Sequence, residues 1–313
     1  MSELLTELLV NALTLGSLYV LVALGYVLVY SVLRIFHLVH GDVVVLGGML
    51  GIGVLHLLGV GGPGGAPAWL ALGVATLVAA VAGAVASWGI EVGVYRRIRT
   101  RSRLTPLLAA LGLSLVLENL LLLATSKDPI PFPAAAIPQG YVEIAGVRFL
   151  YVSMVIVGAA ILLLGGVAAF IRGTRLGTAM LAVAQDAEAA LLIGVPVRRV
   201  TAAGFLMAGA LAGAAGVLFG MYIGSLTWFI GAGFGIRGFS AALIGGLSSI
   251  VGAGLGGYVL AVGEIFGVGL RLGPFQLDPS WRDAIAFLLV VVVLIFRPEG
   301  LLGGRAYTWQ VRN

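Results

Sequence analysis

The chain has 313 residues, of which 60% are hydrophobic and only 10% are charged, and its mean hydropathy is +1.13. A soluble protein of this composition would have too little polar surface, so the composition predicts a polytopic membrane protein. The net charge is +5, but the basic residues cluster at the ends of apolar runs, which argues against nucleic-acid binding. Cysteine is absent, which excludes disulfides, thiolate metal sites and cysteine nucleophiles.

The predicted elements are apolar helices joined by short loops. At about 20 residues for each crossing, the chain has room for roughly eight to ten helices. We assign apolar segments to residues 8–30, 42–59, 68–95, 104–125, 150–171, 200–223, 228–247, 252–269 and 281–296. The segment 228–247 and the region 31–42 could each be broken or re-entrant, so we expect an all-α polytopic protein with eight to nine transmembrane helices. We treat residues 1–313 as one transmembrane domain. Its start, Met1-Ser2-Glu3, lacks the basic flank of a secretory signal and is expected to remain as part of the first helix.

The basic residues predict the orientation of the chain. Stretches 31–41, 96–103, 172–199 and 297–313 alternate with the other loops, and together they hold 13 of the 18 basic residues. Because positive charge is enriched in cytoplasmic loops, this asymmetry favours an external N-terminus and an internal C-terminus.

The largest predicted external loop covers residues 126–149. Pro129, Pro131, Pro133 and Pro138 prevent helix in its first half. The following stretch, 141–149, alternates around Ala145-Gly146 and predicts a small β-hairpin.

Glycine pairs four residues apart predict close helix packing. They lie at Gly209/Gly213, Gly216/Gly220, Gly252/Gly256 and Gly263/Gly267. Small residues at this spacing let neighbouring backbones approach closely.

The predicted cytoplasmic loop 172–199 carries the clearest local pattern. Apolar residues recur at helical spacing at Leu176, Met180, Val183, Ala187 and Leu191. Asp186 is suited to cap a short helix over 187–193, Gly194 suits the left-handed position after it, and Pro196 prevents its continuation. The pattern alone leaves two interpretations open: a connector resting on lipid headgroups, or a surface that binds a cytosolic partner.

A resemblance favours the second interpretation. Glu188-Ala189-Ala190 with Gly194 is similar to the first half of the EAA-x3-G loop of ABC importer permeases, which docks into a cleft of the ATP-binding subunit. The match is partial, because Gly204 stands where isoleucine is usual and no Leu-Pro follows. Further stretches resemble the permease subunits of branched-chain amino-acid ABC importers, within which the chain is most similar to the shorter of the two partner permeases. These stretches are Asn11-Ala-Leu-Thr-Leu-Gly16-Ser-Leu-Tyr19, Leu38-Val-His40-Gly41-Asp42, Gly177-Thr-Ala-Met-Leu-Ala-Val-Ala-Gln185-Asp186 and Gly245-Gly246-Leu-Ser-Ser-Ile-Val-Gly252.

The resemblance extends from about residue 8 to the Arg297-Pro298-Glu299-Gly300 tail. It implies an ABC importer permease fold in the bacterial cytoplasmic (inner) membrane. It further implies the transport of amino acids, with branched-chain amino acids as the expected substrates. It also implies a homologous permease partner, two cytosolic ATP-binding subunits and an external solute-binding protein. The implied ATPase-docking residues are Arg175, Gln185, Asp186, Glu188, Ala189, Ala190 and Gly194.

Two kinds of site have no support in the sequence. Lys127, the only lysine, has no glycine-rich lead-in, so the chain has no phosphate-binding loop and ATP hydrolysis is assigned to partner subunits. His37 and His40 have no nearby cysteine or third ligand that would complete a metal site, and no cofactor is expected.

Polar residues inside apolar spans are candidates for function because they are costly in a bilayer. The candidates for the translocation pathway are His40, Gly41, Asp42, Glu118, Arg237 and Glu264. We expect a helix to break at His40-Gly41-Asp42, where glycine would tolerate irregular backbone. Each acid could instead form a structural bond between helices, and Arg237, placed near the outer mouth, could pair with the binding protein, guide a substrate carboxylate or anchor the interface.

An internal repeat is a further hypothesis. Residues 39–48 and 237–246 share small residues and a final Gly-Gly, and the predicted topology sends them in opposite directions, as in transporters with inverted repeats. Two rival functions remain open. An ion-coupled secondary transporter would explain the intramembrane acids but not the cytosolic loop. An intramembrane hydrolase using His40, Asp42 and Ser114 would lack any G-x-S-x-G or H-E-x-x-H motif.

Overall fold

The computed structural model describes residues 2–98, 104–125, 127–144, 146–269 and 278–303. Arg99, Arg101, Arg103, Arg271 and the turn residue Ala145 lie outside the described residues. The helices are α1 (Ser2–Leu33), α2 (His40–Leu57), α3 (Ala68–Ile90), α4 (Arg96–Ile98), α5 (Thr105–Thr125), α6 (Tyr151–Gly173), α7 (Arg175–Gln185), α8 (Ala187–Leu192), α9 (Val197–Ile223), α10 (Ile230–Gly245), α11 (Ile250–Gly269) and α12 (Arg282–Phe296). The strands are β1 (Ile130–Pro131), β2 (Tyr141–Ile144), β3 (Val147–Leu150) and β4 (Ser225–Leu226).

The predicted spans correspond to observed helices. In the described ranges, seven helices are long and apolar enough to cross a membrane: α1, α2, α3 with its continuation to Ile98, α5, α6, α9 and α11. The two remaining predicted spans are α10 and α12, with 16 and 15 residues. A π-helical turn, Glu91–Tyr95, joins α3 to α4. The all-α polytopic fold is therefore confirmed, and helix ends differ from the predicted ones by a few residues.

The centre of the bundle is formed by α1 and α9. Nearly every side chain of α1 from Leu15 to Val29 is buried. Helices α2 and α3 pack on α9, whereas α10 and α11 pack on α1. Helices α1, α2 and α3 thus form one set, and α9, α10 and α11 form a second. In each set the last two helices pack on the first helix of the other set.

The two sets run in opposite directions, as the repeat hypothesis requires. In the helix crossing, Gly41 lies against Gly231 and Gly235, and Gly48 lies against Leu226, so α2 and α10 are antiparallel. The register inferred from sequence is wrong. Helix α2 begins seven residues after the end of α1, and α10 begins seven residues after the end of α9. Equivalent positions are therefore Gly41 and Gly231, and not positions 41 and 239 as the Gly-Gly match implied.

The glycine pairs allow close packing, as predicted. A Cβ atom at Gly213 would lie 1.9 Å from the carbonyl oxygen of Ala79, and one at Gly216 would lie 2.0 Å from that of Val44. A Cβ atom at Gly256 would lie 2.0 Å from the carbonyl oxygen of Ala241. Backbone touches backbone at these crossings, so larger residues would force the helices apart.

The predicted hairpin is present in the loop after α5. Strands β2 and β3 pair antiparallel with Ile144 opposite Val147, and Gly146 has a φ of +79°. Earlier in the loop, β1 pairs with β4, which follows α9. The loop therefore closes over one end of the bundle, which we call the hairpin end.

The predicted cytoplasmic segments meet at the opposite end. Arg34 donates a hydrogen bond to Ala184 in the 172–199 loop, and the 297–303 segment bonds to the end of α10 through Leu301 N and Ile244 O at 2.8 Å. His37 reaches Tyr95, next to the basic α4, at 3.0 Å. We call this the basic end; its assignment to the cytoplasm stays a prediction.

Candidate functional site

The loop at the basic end consists of two short helices joined at Asp186. We call α7, α8 and Gly194 the docking loop. Asp186 Oδ1 accepts hydrogen bonds from Glu188 N at 2.9 Å and Ala189 N at 3.0 Å, which is the predicted cap. Gly194 has a φ of +87° directly after the helix, as predicted from its sequence position. The cap chemistry thus fixes both ends of α8.

The buried face of the docking loop is narrower than its apolar spacing indicated. Met180, Val183 and Ala190 are buried, whereas Leu176 and Leu191 are exposed, so only some of the apolar residues at helical spacing face the bundle. The exposed apolar surface continues to Leu192, whose side chain is 87% exposed, and to Ile193. Sequence reasoning missed this surface, although three large apolar residues in a row cannot all face one side of a short helix.

Most of the predicted docking residues are also exposed. Arg175, Gln185, Asp186, Glu188 and Ala189 are exposed, whereas Ala190 is buried. The loop therefore presents charged and apolar side chains together at the basic end of the molecule.

A second group of predicted residues lies inside the bundle at the start of α2. The break in the helix is at residues 34–39, before His40-Gly41-Asp42, which form the first turn of α2. Gly25 of α1 lies against the His40 ring, eight residues before the end of α1 at Leu33, so α2 begins about 12 Å below that end. The prediction of a helix break next to His40-Gly41-Asp42 is correct, but the reason given for the glycine is wrong. Gly41 is helical, and its role is contact with α10, where a Cβ would lie 2.2 Å from Gly231 O.

Five polar side chains, four of them buried and Ser114 half-buried, form a cluster around this turn. Ser114 Oγ of α5 donates a hydrogen bond to Asp42 Oδ2, and His37 Nδ1 lies 3.0 Å from Tyr95 Oη. The His40 ring packs edge-on to Tyr26, with 5.0 Å between ring centroids. We call Tyr26, His37, His40, Asp42 and Ser114 the polar cluster. Asp42 Oδ1 and Tyr26 Oη are buried without a hydrogen-bond partner among the described protein atoms.

The polar cluster lacks the geometry of a hydrolase. Ser114 donates directly to the Asp42 carboxylate, and no hydrogen bond joins Ser114 to His40 among the described residues. A serine nucleophile needs a base that can accept its proton and is itself oriented by a third group. In the part of the chain that the structure describes, no group of three or more His, Cys, Asp or Glu could hold a metal ion.

Glu118 extends the polar cluster along α5. It lies four residues after Ser114 and so shares its helix face, and it is half-buried. The predicted bond from Glu118 to another helix is not among its observed contacts, whereas Asn119 donates to Leu115 O on its own helix. The signal that could have identified Ser114 was this spacing to Glu118 in an otherwise apolar helix.

Arg237 and Glu264 belong to a separate ionic cluster. Glu264 is fully buried on α11 and accepts a hydrogen bond from Tyr19 Oη at 2.7 Å. Arg237 donates to Asp283 at the start of α12 at 2.5 Å and lies 3.9 Å from Glu264. Arg237, whose role was left open between the binding protein, a substrate carboxylate and an interface anchor, thus has a partner within the chain, and the structural interpretation of Glu264 agrees with its contacts. This ionic cluster connects α1, α10, α11 and α12.

Comparison with known proteins identifies the family. Residues 8–294 match the model of the family described as branched-chain amino acid transport system, permease component. The chain belongs to this family. It is 34% identical to the high-affinity branched-chain amino acid transport system permease BraD of Pseudomonas aeruginosa and 32% identical to LivH of Escherichia coli, each over 94% of both chains.

A more distant similarity covers part of the chain. The autoinducer 2 import permease LsrC of Klebsiella pneumoniae is 33% identical over 137 residues, which is 44% of this chain and 39% of LsrC. No solved structure matches the chain. The family and the apolar helices make this chain a multi-pass permease component of the bacterial inner membrane, in the class that works in ATP-driven importers.

Proposed function

We propose that this chain forms one half of the membrane passage of an importer for branched-chain amino acids, and that its docking loop is gripped by an ATP-binding subunit. The observation that carries the proposal is the exposed apolar surface of Leu191, Leu192 and Ile193 on a capped helix outside the apolar spans. Large apolar side chains in such a place favour a protein partner that covers them. Glu188 and Arg175 add charges that can fix the orientation of that partner.

The proposed assembly contains this chain, a homologous permease, two cytosolic ATP-binding subunits and an external solute-binding protein. ATP hydrolysis is assigned to the cytosolic subunits, because this chain has no phosphate-binding loop around its single lysine. The work of this chain is conformational: closure of the two docking loops on ATP binding changes which side of the passage is open.

The polar cluster is the proposed lining of the passage. Its atoms without partners include Asp42 Oδ1 and Tyr26 Oη inside the bundle, where buried groups without partners cost about 1–3 kcal/mol each. Such a cost is expected where side chains must exchange partners during transport. Half-buried Glu118 continues this lining on α5. Arg237 bonds to Asp283 and Glu264 accepts a hydrogen bond from Tyr19, so we propose both as scaffold that joins helices, although Glu264 Oε1 has no hydrogen-bond partner among the described residues.

The docking surface can be tested at Leu192. Leu192→Glu should leave the fold intact, because the side chain is 87% exposed, while removing an apolar contact to the ATP-binding subunit. Losing one well-buried leucine contact costs about 1.5–3 kcal/mol, which lowers affinity by roughly 10- to 100-fold. The measurement is recovery of the ATP-binding subunits with the affinity-purified permease.

A matched control is available at the hairpin end. Leu57 is 88% exposed, so Leu57→Glu makes the same chemical change away from the docking loop. Its recovery of ATP-binding subunits should equal that of the unmodified chain. Equal recovery with Leu192→Glu and Leu57→Glu would show that the docking loop does not bind the ATPase.

A further inference from the structure

Arg34 has an unusual backbone conformation directly after the end of α1. Its φ is +54°, and it is the one residue other than glycine with positive φ in the described ranges. L-residues with side chains rarely adopt this region, and asparagine and aspartate tolerate it better than arginine does. Arg34 follows the last residue of α1 and turns the chain back into the bundle toward His37 and α2. An arginine at a position suited to glycine indicates that its side chain has a task.

The side chain reaches across to the docking loop. Arg34 Nη2 donates a hydrogen bond of 2.7 Å to the carbonyl oxygen of Ala184, which is two residues before Asp186, the residue that joins α7 to α8. The guanidinium carbon also lies 5.6 Å from the centre of the Tyr30 ring. One residue therefore joins the end of α1, the docking loop and an aromatic ring.

The aromatic ring leads on to the polar cluster. Tyr30 stacks on Phe36 with 5.5 Å between ring centroids, and Phe36 meets Phe239 of α10 at 5.3 Å. Phe239 lies 5.5 Å from Tyr26, whose ring packs against His40 at 5.0 Å. A continuous series of ring contacts thus connects the Arg34 guanidinium with the first turn of α2.

The surroundings of Arg34 leave room for movement. Two small cavities, of about 150 and 70 Å³, both border its side chain. The larger one is also lined by Glu299, and no ion pair joins Glu299 to Arg34 in the described chain. Among the described residues, the Arg34 side chain is therefore held by one carbonyl and one ring, and not by a carboxylate that would fix it in place.

We propose that Arg34 is a positioning residue that couples movement of the docking loop to the His40-Gly41-Asp42 turn. When the loop is displaced, the Ala184 carbonyl pulls on the guanidinium. The displacement then reaches α2 along the turn at residues 34–39 and along the ring contacts that begin at Tyr30 and Phe36. This inference rests on the proposed function, because it requires that the ATP-binding subunit moves the docking loop.

Three substitutions separate the side chain from the backbone. Arg34→Gly and Arg34→Asn both suit a φ of +54° but are too short to reach Ala184, whereas Arg34→Lys keeps a cationic donor with enough length. Arg198→Asn is the control, since it removes an exposed arginine from the same end of the molecule. The complex with its ATP-binding and solute-binding subunits is reconstituted in liposomes, and leucine taken up per ATP hydrolysed is measured.

The two short variants should recover the ATP-binding subunits normally and keep ATP hydrolysis, while uptake per ATP falls by about tenfold, as expected when an ordinary coupling between two sites is lost. Arg34→Lys should stay within about threefold of the unmodified complex, and Arg198→Asn should not differ from it. Unchanged uptake per ATP in both short variants would overturn the proposal.

A second readout reports on the turn itself. In this cysteine-free chain, Leu38→Cys places one thiol in the segment between Arg34 and His40. Its reaction rate with a thiol reagent should change when a non-hydrolysable ATP analogue is added, and Arg34→Gly should abolish that response. An equal response with and without the guanidinium would refute the coupling role. Failure of both short variants to assemble would show that Arg34 is needed for folding and would also refute the coupling role. If the unmodified chain did not recover ATP-binding subunits, the proposed function itself would fail.

Discussion

Substitution of Gly41 by alanine tests whether the crossing of α2 and α10 needs direct backbone contact. An added Cβ would lie 2.2 Å from Gly231 O and 2.7 Å from Gly235 Cα. Ordinary contact begins near 3.4 Å, so the two helices would have to separate by about 1 Å. Both opposing atoms belong to the backbone and cannot rotate away.

The expected cost follows from this overlap. Overpacking of a well-packed interior costs about 1–3 kcal/mol, and alanine in a helix regains roughly 0.5–1 kcal/mol relative to glycine. Gly41→Ala should therefore lower the free energy of unfolding by about 1–2 kcal/mol. At Gly53 on the same helix, an added Cβ would meet no atom within 4 Å, so Gly53→Ala should raise it by about 0.5–1 kcal/mol.

The comparison is best made by thermal unfolding of the purified permease, with uptake measured in parallel. A gap of about 1.5–3 kcal/mol between the two variants corresponds to several degrees in the midpoint of unfolding. Uptake for each assembled complex should fall with Gly41→Ala only, because the shift displaces His40 and Asp42 at the start of α2. Equal midpoints and equal uptake for the two variants would refute the argument that Gly41 is required for the crossing.

Two further predictions concern orientation and the roles of the buried acids. Single cysteines at Lys127 and Leu192 should react with an impermeant thiol reagent on intact cells at position 127 only, because the hairpin end is predicted to face outward; the opposite pattern would invert the topology. Asp42→Asn should assemble normally but change the uptake rate of each complex, because it alters charge in the passage. Glu264→Gln should reduce the amount of folded complex and leave the rate near normal, since it weakens the bond from Tyr19. Wild-type uptake by each Asp42→Asn complex would assign Asp42 to the scaffold.

Much of the fold was predictable because its signals are local. Long apolar runs identified the spans, and cap chemistry at Asp186 and Gly194 identified α8. Proline spacing and the alternation after Tyr141 identified the loop and its hairpin. Each of these signals depends on residues within a few positions of one another, so each can be recognised in a single sequence.

The errors concern contacts between distant parts of the chain. Arg34 and Ala184 are 150 residues apart, and nothing in the spacing of either indicates their hydrogen bond. The sequence could not show whether Leu191 is buried or exposed. An apolar residue at helical spacing can pack inside the bundle, rest on lipid or bind a protein partner, and the structure shows that Leu191 is exposed. The role of Arg237 was left open between the binding protein, a substrate carboxylate and the membrane interface, because Asp283 lies on another helix, 46 residues later.

The error in the repeat register has a physical reason that also bears on function. Adjacent glycines lie at several helix crossings in this chain, for example at Gly47-Gly48 and Gly256-Gly257. Such pairs therefore mark close packing and do not show that two positions are equivalent in the two repeats. The correct equivalence, set by the seven-residue step into α2 and into α10, pairs His40 with Ile230 and Asp42 with Ala232. The two repeats therefore share a helix-crossing geometry, but only the first places ionisable side chains there.

This asymmetry decides which repeat we expect to determine the chemistry of the passage. Helix α10 supplies Gly231 and Gly235, whose missing side chains let α2 approach, while α2 supplies His40 and Asp42. If both repeats lined the passage equally, an ionisable residue at position 232 would be as acceptable as Asp42. A Cβ at the neighbouring Gly231 would lie only 2.6 Å from Asp42 Oδ1, so the start of α10 is already filled by the partner helix. We therefore expect the second repeat to remain in place while the first repeat, moved through Arg34 as proposed above, shifts its polar turn against it.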